Sequence, residues 1–267
     1  MIIHNTNCFA YVLLLVLMIC LPSLSISAES AKEQSELYPR GNIFCFTFYS
    51  TSLNDSSYAL ERGATAIGPF YGNQQSIVNM SKTLNAKCVY KVHPPCMKNI
   101  NLDKDALPDD ETLVKEIKEI VEPLIDNTLI AMWDVVPEEL RHWRKKEMHY
   151  LELITRTIRE LDVEKRPIYM YEPCHRKAED LKKSVIYQDV CAKGMYVEGC
   201  NFRTNRIWAR WSMEQELKAI AEAKPSATPW ITLWMARDTE EENKGLINNW
   251  CRHDAYMGLI MGGKGIS

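Results

Sequence analysis

The sequence has 267 residues, of which 46% are hydrophobic and 25% charged, with a formal net charge of −3. This is the balance of an ordinary globular protein of one large domain or two small ones. It leaves no global basic field to draw in nucleic acid or an anionic membrane surface, so neither is an expected partner.

Taken in chain order, the first segment is different in kind. Ala10 to Ile26 is almost wholly apolar, and small residues follow at Ser23, Ser25, Ser27 and Ala28 before the chain turns polar at Glu29. An apolar core, a small-residue cleavage site and a polar start are the order of a secretory signal. Residues 1–28 therefore read as a signal peptide cleaved near Ser27 or Ala28, which predicts an exported protein. Met1 to Phe9 carries no Lys or Arg, so the membrane enters only as the case in which this segment stays uncleaved. Residues 29–41 read as a polar lead-in, and 42–267 as one domain.

Within that domain short apolar runs recur. The first spans Ile43 to Tyr49, the second Ala64 to Gly68, the third Lys87 to Val92 and the fourth Leu129 to Trp133. The fifth spans Pro167 to Tyr171, the sixth Gly194 to Val197 and the seventh Trp230 to Trp234, and Lys264-Gly265-Ile266 opens an eighth. Helical periodicity lies between them. Leu113, Ile117, Ile120, Val121 and Leu124 form one apolar stripe, and Leu140, Trp143, Leu151, Ile154, Ile158 and Leu161 another. Ser212-x-x-Gln215 and Thr239-x-x-Glu242 have the pattern of capping boxes before the seventh and eighth strands. Strands alternating with amphipathic helices predict a parallel sheet, and eight such units predict a TIM (β/α)8 barrel. The competing arrangement is an open doubly wound sheet, but the glycine-rich phosphate turn usual after its first strand is not here. The sequence stops inside the eighth strand, so a barrel truncated at that strand is part of the expectation.

Nine cysteines include two, Cys8 and Cys20, in the apolar segment, leaving seven: Cys45, Cys88, Cys96, Cys174, Cys191, Cys200 and Cys251. No CxxC is present, so the spacing does not suggest zinc. Cys45 and Cys88 lie in strand-like runs and read as small buried hydrophobes. One or two disulfides among the others fit an exported chain.

Reactive groups in such barrels cluster at the C-terminal ends of strands. Read off in order, these ends offer Tyr49, Tyr71, His93, then Asp134, Glu138 and Glu139 after Trp133. Glu172 and His175 follow Tyr171, and Glu198, Arg203, Arg206 and Arg210 follow the sixth strand. Trp234, Arg237 and Asp238 follow the seventh. Carboxylates mixed with aromatics suit glycoside hydrolysis, in which one carboxyl protonates the leaving oxygen and a second attacks or activates water. No cofactor motif is present, and a metal site would need His and carboxylate ligands that this spacing does not bring together.

Trp133 to Glu139 (Trp-Asp-Val-Val-Pro-Glu-Glu) resembles the fourth-strand motif of many glycoside-hydrolase-like barrels. Asp254 to Ile266 resembles the helix leading into the eighth strand of the same enzymes, β-galactosidase-like families among them. The resemblance runs from the fourth strand to the end, about half of the chain. It implies that Glu138, with Glu139 as its rival, is the acid/base. The seventh strand ends Leu233-Trp234-Met235-Ala236, without the nucleophile carboxylate usual in retaining families. The second carboxylate then falls to Glu172 or Glu198, with Glu172 preferred. Trp133, Asp134, Tyr171, His175, Glu198, Arg206, Trp234 and Tyr49 would line a carbohydrate site. The alternative is a degenerate barrel that binds carbohydrate without cleaving it.

Overall fold

Eight short parallel strands close on themselves in simple order. They are β1 (Cys45–Phe48), β2 (Ala66–Ile67), β3 (Lys87–Val92), β4 (Ile130–Val135), β5 (Ile168–Glu172), β6 (Val190–Gly194), β7 (Thr228–Thr232) and β8 (Gly265–Ile266). Among the described residues seven α-helices join them: α1 (Leu53–Glu61), α2 (Gln74–Leu84), α3 (Asp110–Val121), α4 (Lys145–Leu161), α5 (Ala178–Val185), α6 (Ile207–Ala223) and α7 (Ile247–Met261). The computed structural model describes residues 36–48, 52–69, 73–98, 100–101, 105–135, 141–195, 206–233 and 245–267. The architecture is the expected (β/α)8 barrel. Although β8 has two residues, it pairs with β1 through Cys45↔Gly265 and Phe46↔Ile266, and with β7 through Ile231↔Ile266. The barrel is thus closed at the strand where truncation was expected to open it.

The core divides as a closed barrel requires, because successive strand side chains point to opposite faces. Cys45, Ala66, Val89, Met132, Tyr169, Val190, Ala192 and Trp230 pack together and fill the lumen. Leu37, bridged to Ile43 ahead of β1, packs against the same cluster. The alternate residues, among them Cys88, Tyr90, Trp133, Val135, Ile168 and Met170, pack outward against Ile77, Leu113, Ile117, Leu151, Ile154 and Ile158 of the helices. Glycines admit the large lumen rings. A Cβ on Gly265 would lie 2.2 Å from the Trp230 ring, and one on Gly194 would lie 2.6 Å from the Tyr171 hydroxyl.

Several boundaries differ from expectation. The sixth strand was expected at Gly194 to Val197, but β6 runs Val190–Gly194. The earlier stretch includes Lys193, which is buried, and its ammonium donates to the carbonyls of Cys174 and Arg176 and to Ser212 Oγ. Ser212 does not cap a helix, since α6 starts at Ile207. Its hydroxyl instead donates to the Gly194 carbonyl, and Gln215 Oε1 accepts from the backbone N–H of Ala178 at the start of α5. The Thr239 capping pattern lies outside the described residues. Cys45, Cys88, Cys96, Cys174, Cys191 and Cys251 all carry free thiols, so no disulfide occurs among the described residues. Cys200 lies outside them. No helix among the described residues is long and apolar enough to cross a membrane.

Trp133 was expected to line the carbohydrate site, but the fold sets it on the outer face of β4. It is fully buried against the helices, and its Nε1–H donates to Asp162 Oδ2 at 2.7 Å. Asp162 also accepts from the Arg166 backbone N–H at 3.0 Å and from its guanidinium at 2.9 Å. Burial pushes the Asp162 carboxyl up, but the bonds from Arg166 and Trp133 outweigh it and hold the group below its ordinary value. Trp133→Phe keeps most of the ring volume and removes the donor. It is expected to cost about 1–3 kcal/mol in chemical denaturation, and an unchanged midpoint would contradict this account of the residue.

Candidate active site

The site is built from the inward positions that follow the lumen cluster. Two residues beyond Cys45, Val89, Met132, Tyr169, Ala192 and Trp230 stand Thr47, Lys91, Asp134, Tyr171, Gly194 and Thr232. Ser267 holds the same place after Gly265. By the period of two, these side chains share the inner face of the barrel with the lumen residues. Because all eight strands are parallel, the set lies on the side of the C-terminal mouth, where barrel enzymes carry their chemistry. The apolar lumen therefore gives way upward to hydroxyls, one ammonium, one carboxylate and one phenol.

Lys91 and Asp134 are direct neighbours across the β3–β4 ladder, and Lys91 Nζ lies 3.6 Å from Asp134 Oδ2. Their side chains are 6% and 3% exposed, so each charge depends on nearby opposite charge instead of bulk water. The backbone N–H of Lys91 donates to Gln74 Oε1 at the start of α2. On the opposite wall Thr232 and Ser267 hydroxyls meet at 3.0 Å. Thr47, beside them on β1, is buried, and its Oγ1 has no hydrogen-bond partner among the described residues. The Tyr171 ring lies over Gly194.

The expected site residues separate into three groups. Asp134 and Tyr171 are brought to the inner face. Asp134 is a strand residue facing inward, where the sequence had placed it just past the strand end. Glu172, Trp133 and Arg206 face elsewhere. The Glu172 carboxylate is buried between β5 and α5, where it accepts from Ser184 Oγ and, at 2.8 Å, from Gln188 Nε2. Burial pushes this carboxyl up, and the bonds from Ser184 and Gln188 oppose that only in part. A carboxyl so placed serves the joint between strand and helix. Arg206 pairs with Asp254 of α7 through Nη2 and through Nε at 3.1 Å, with its guanidinium 5.4 Å from the Trp250 ring. His175 is exposed in the turn after β5. The third group, Tyr49, Glu138, Glu139, Glu198 and Trp234, lies outside the described residues.

Sequence reading missed Lys91, Thr47, Thr232 and Ser267. The available signal was a lysine inside an apolar strand, since a lysine in the middle of a buried parallel strand requires a partner. Among the described residues no group of three or more His, Cys, Asp or Glu side chains could hold a metal ion. A groove of about 590 Å³ is lined by Phe44, Phe46, Leu233, Tyr256, Leu259 and Ile266, between β1 and α7.

A closed parallel barrel with a polar, carboxylate-bearing inner face above an apolar lumen defines a (β/α)8 barrel. Comparison with solved structures agrees on the fold. The β-glucuronidase of Lactobacillus rhamnosus is similar with a TM-score of 0.59 at 12% identity, over 84% of this chain and 42% of that one. The β-glucuronidase of Faecalibacterium prausnitzii gives 0.58 at 14%, over 84% and 41%. A β-galacturonidase of Eisenbergiella tayi gives 0.53 at 12%, over 81% and 39%. The chain thus spans less than half the length of these proteins, and at such identities the likeness is one of fold. No family model matches the sequence, and no curated protein matches it.

Proposed function

We propose that this protein is an exported glycoside hydrolase that acts on O-glycosidic bonds of a poly- or oligosaccharide at the C-terminal mouth of its barrel. The observation that carries the reading is Asp134, an inward-facing carboxylate set among Lys91 and a wall of hydroxyls directly above the apolar lumen. Hydrolysis calls for two carboxyl groups. In this reading Glu138, three residues beyond the end of β4, is the general acid/base, and Asp134 is the second carboxylate. Asp134 replaces Glu172 in that role because the Glu172 carboxylate is occupied at the strand–helix joint. Tyr171 offers a ring face and a hydroxyl to a sugar, and the Thr47 hydroxyl, which has no hydrogen-bond partner among the described residues, would bond a sugar hydroxyl.

One observation favours a second reading. Among the described inward positions Asp134 is the single carboxylate, and it is already paired with Lys91. A barrel that holds glycan without cleaving it would look the same at these residues. A glycan panel separates the two, and uronides come first in it because the similar structures are glucuronidases and a galacturonidase. Hydrolysis by the purified chain, reduced about 10²–10⁴-fold in Glu138→Gln, supports the first reading. Saturable binding without product release selects the second, and the absence of both defeats the two together.

A further inference from the structure

The segment leading into α4 and the turn after β5 meet at one histidine. His142 Nε2 lies 2.7 Å from Asp180 Oδ1 on α5, and His142 Nδ1 lies 2.9 Å from Arg176 Nη1. A guanidinium can only donate, so Nδ1 must accept. The ring proton therefore sits on Nε2 and is donated to Asp180, which fixes a neutral imidazole in one tautomer. Trp143 packs edge-on to that ring at 4.8 Å, and the Arg176 guanidinium lies 5.7 Å from the Trp143 ring. The neighbouring Arg141 is fastened separately. Its backbone N–H and its Nε donate to the buried Glu147 carboxylate at 2.6 and 2.8 Å.

We infer that His142 is a positioning residue whose neutral ring ties residues 141–144 to the turn after β5, and that a proton on Nδ1 breaks this tie. Protonation would turn the acceptor into a donor and set a second cation 2.9 Å from Arg176. The charged groups facing His142 are Asp180 and Lys183 from α5 and Arg176 from the turn. Burial lowers the affinity of His142 for a proton below its ordinary 6.5, Lys183 and Arg176 act in the same direction, and Asp180 opposes them. The folded state therefore binds this proton less readily than the unfolded chain. The tie is fully present above that ordinary value and is lost as pH falls through the lower folded one. Any effect on catalysis rests on the proposed site, whose rim these two segments border; the tie itself does not.

The test is amide hydrogen exchange of the full chain, followed in peptides covering residues 141–150 and 173–180. Rates are normalised to those of the unfolded chain at about pH 8 and about pH 5. The N–H groups of Arg144 and Arg176 bond within these segments, to Arg141 and Pro173, and report on them. Wild type should lose protection in both peptides at the acid pH. His142→Gln should stay protected at both, since its amide can donate to Asp180 and accept from Arg176 without titrating. His142→Ala should be open at both. A His142→Gln chain that opens in acid like wild type would overturn the inference, as would wild-type protection that is unchanged while the His142 ring titrates by NMR. No substrate enters these readings, so they stand or fall apart from the hydrolase proposal.

Discussion

Asp134→Ala should cost about 3–5 kcal/mol of folding stability, among the largest effects of any single change in this chain. The reason is what it leaves behind. Lys91 is buried and lies 3.6 Å from the carboxylate, so truncating Asp134 takes away the carboxylate that faces its ammonium at a site with little access to water. Burying a pair of charges gains little against their joint desolvation, whereas removing one partner leaves the full penalty of the other. A Lys91→Met, Asp134→Leu double variant should therefore recover most of the loss while remaining without activity. Denaturant midpoints of the three proteins check this. Equal destabilisation in the double and single variants would mean that the pair contributes shape and not charge balance.

The second large effect is expected outside the mouth. Lys193→Met should cost about 3–5 kcal/mol, because it removes one buried ammonium that satisfies three acceptors. These are the carbonyls of Cys174 and Arg176, at 2.7 and 2.9 Å, and Ser212 Oγ at 3.1 Å. Burial pulls the Lys193 ammonium down to about 8, so it remains largely charged at neutral pH. Since Cys174 and Arg176 belong to the turn after β5 and Ser212 to α6, the loss should appear as faster proteolysis in that turn as well as a lower midpoint. A change of less than about 1 kcal/mol would show that water or backbone movement satisfies these carbonyls without the lysine.

The lysines also show how much of this molecule its sequence discloses. The barrel was legible because strands and helices alternate at regular spacing, and β3 was placed residue for residue. Which face each strand residue presents was not. A parallel strand covered on both sides is apolar throughout, so the alternation that marks inside from outside in a half-exposed strand is missing here. A displacement of one residue reverses every side chain. Glu172 and Asp134 both sit at strand ends in the sequence, and only the closed barrel turns one to the helices and the other to the mouth. Trp133 was placed in the carbohydrate site for the same reason, and it faces Asp162.

The misplaced β6 has a related cause. Val190–Gly194 contains a lysine, and Met195-Tyr196-Val197 is more apolar, so pattern alone favours the later stretch. The acceptors that make Lys193 tolerable come from residues 17 to 19 positions away in sequence. Ser212 and Gln215 were read as a cap because their spacing fits one. They instead bond across elements, to Gly194 and Ala178, from within a helix that begins without a capping side chain. Glu138, by contrast, is a residue of the proposed site that the sequence alone supplies, through its place after the fourth strand.

The most direct test of this account compares two conservative variants on a glycan that the purified chain cleaves. Glu172→Gln keeps the size and the acceptor that Ser184 and Gln188 use, and should leave kcat/KM within about twofold of wild type, as a change away from the reacting atoms does. Asp134→Asn should lower kcat/KM by about 10²-fold or more. Full activity in Asp134→Asn with loss in Glu172→Gln would contradict the assignment of the mouth, and would return the chemistry to the strand–helix joint.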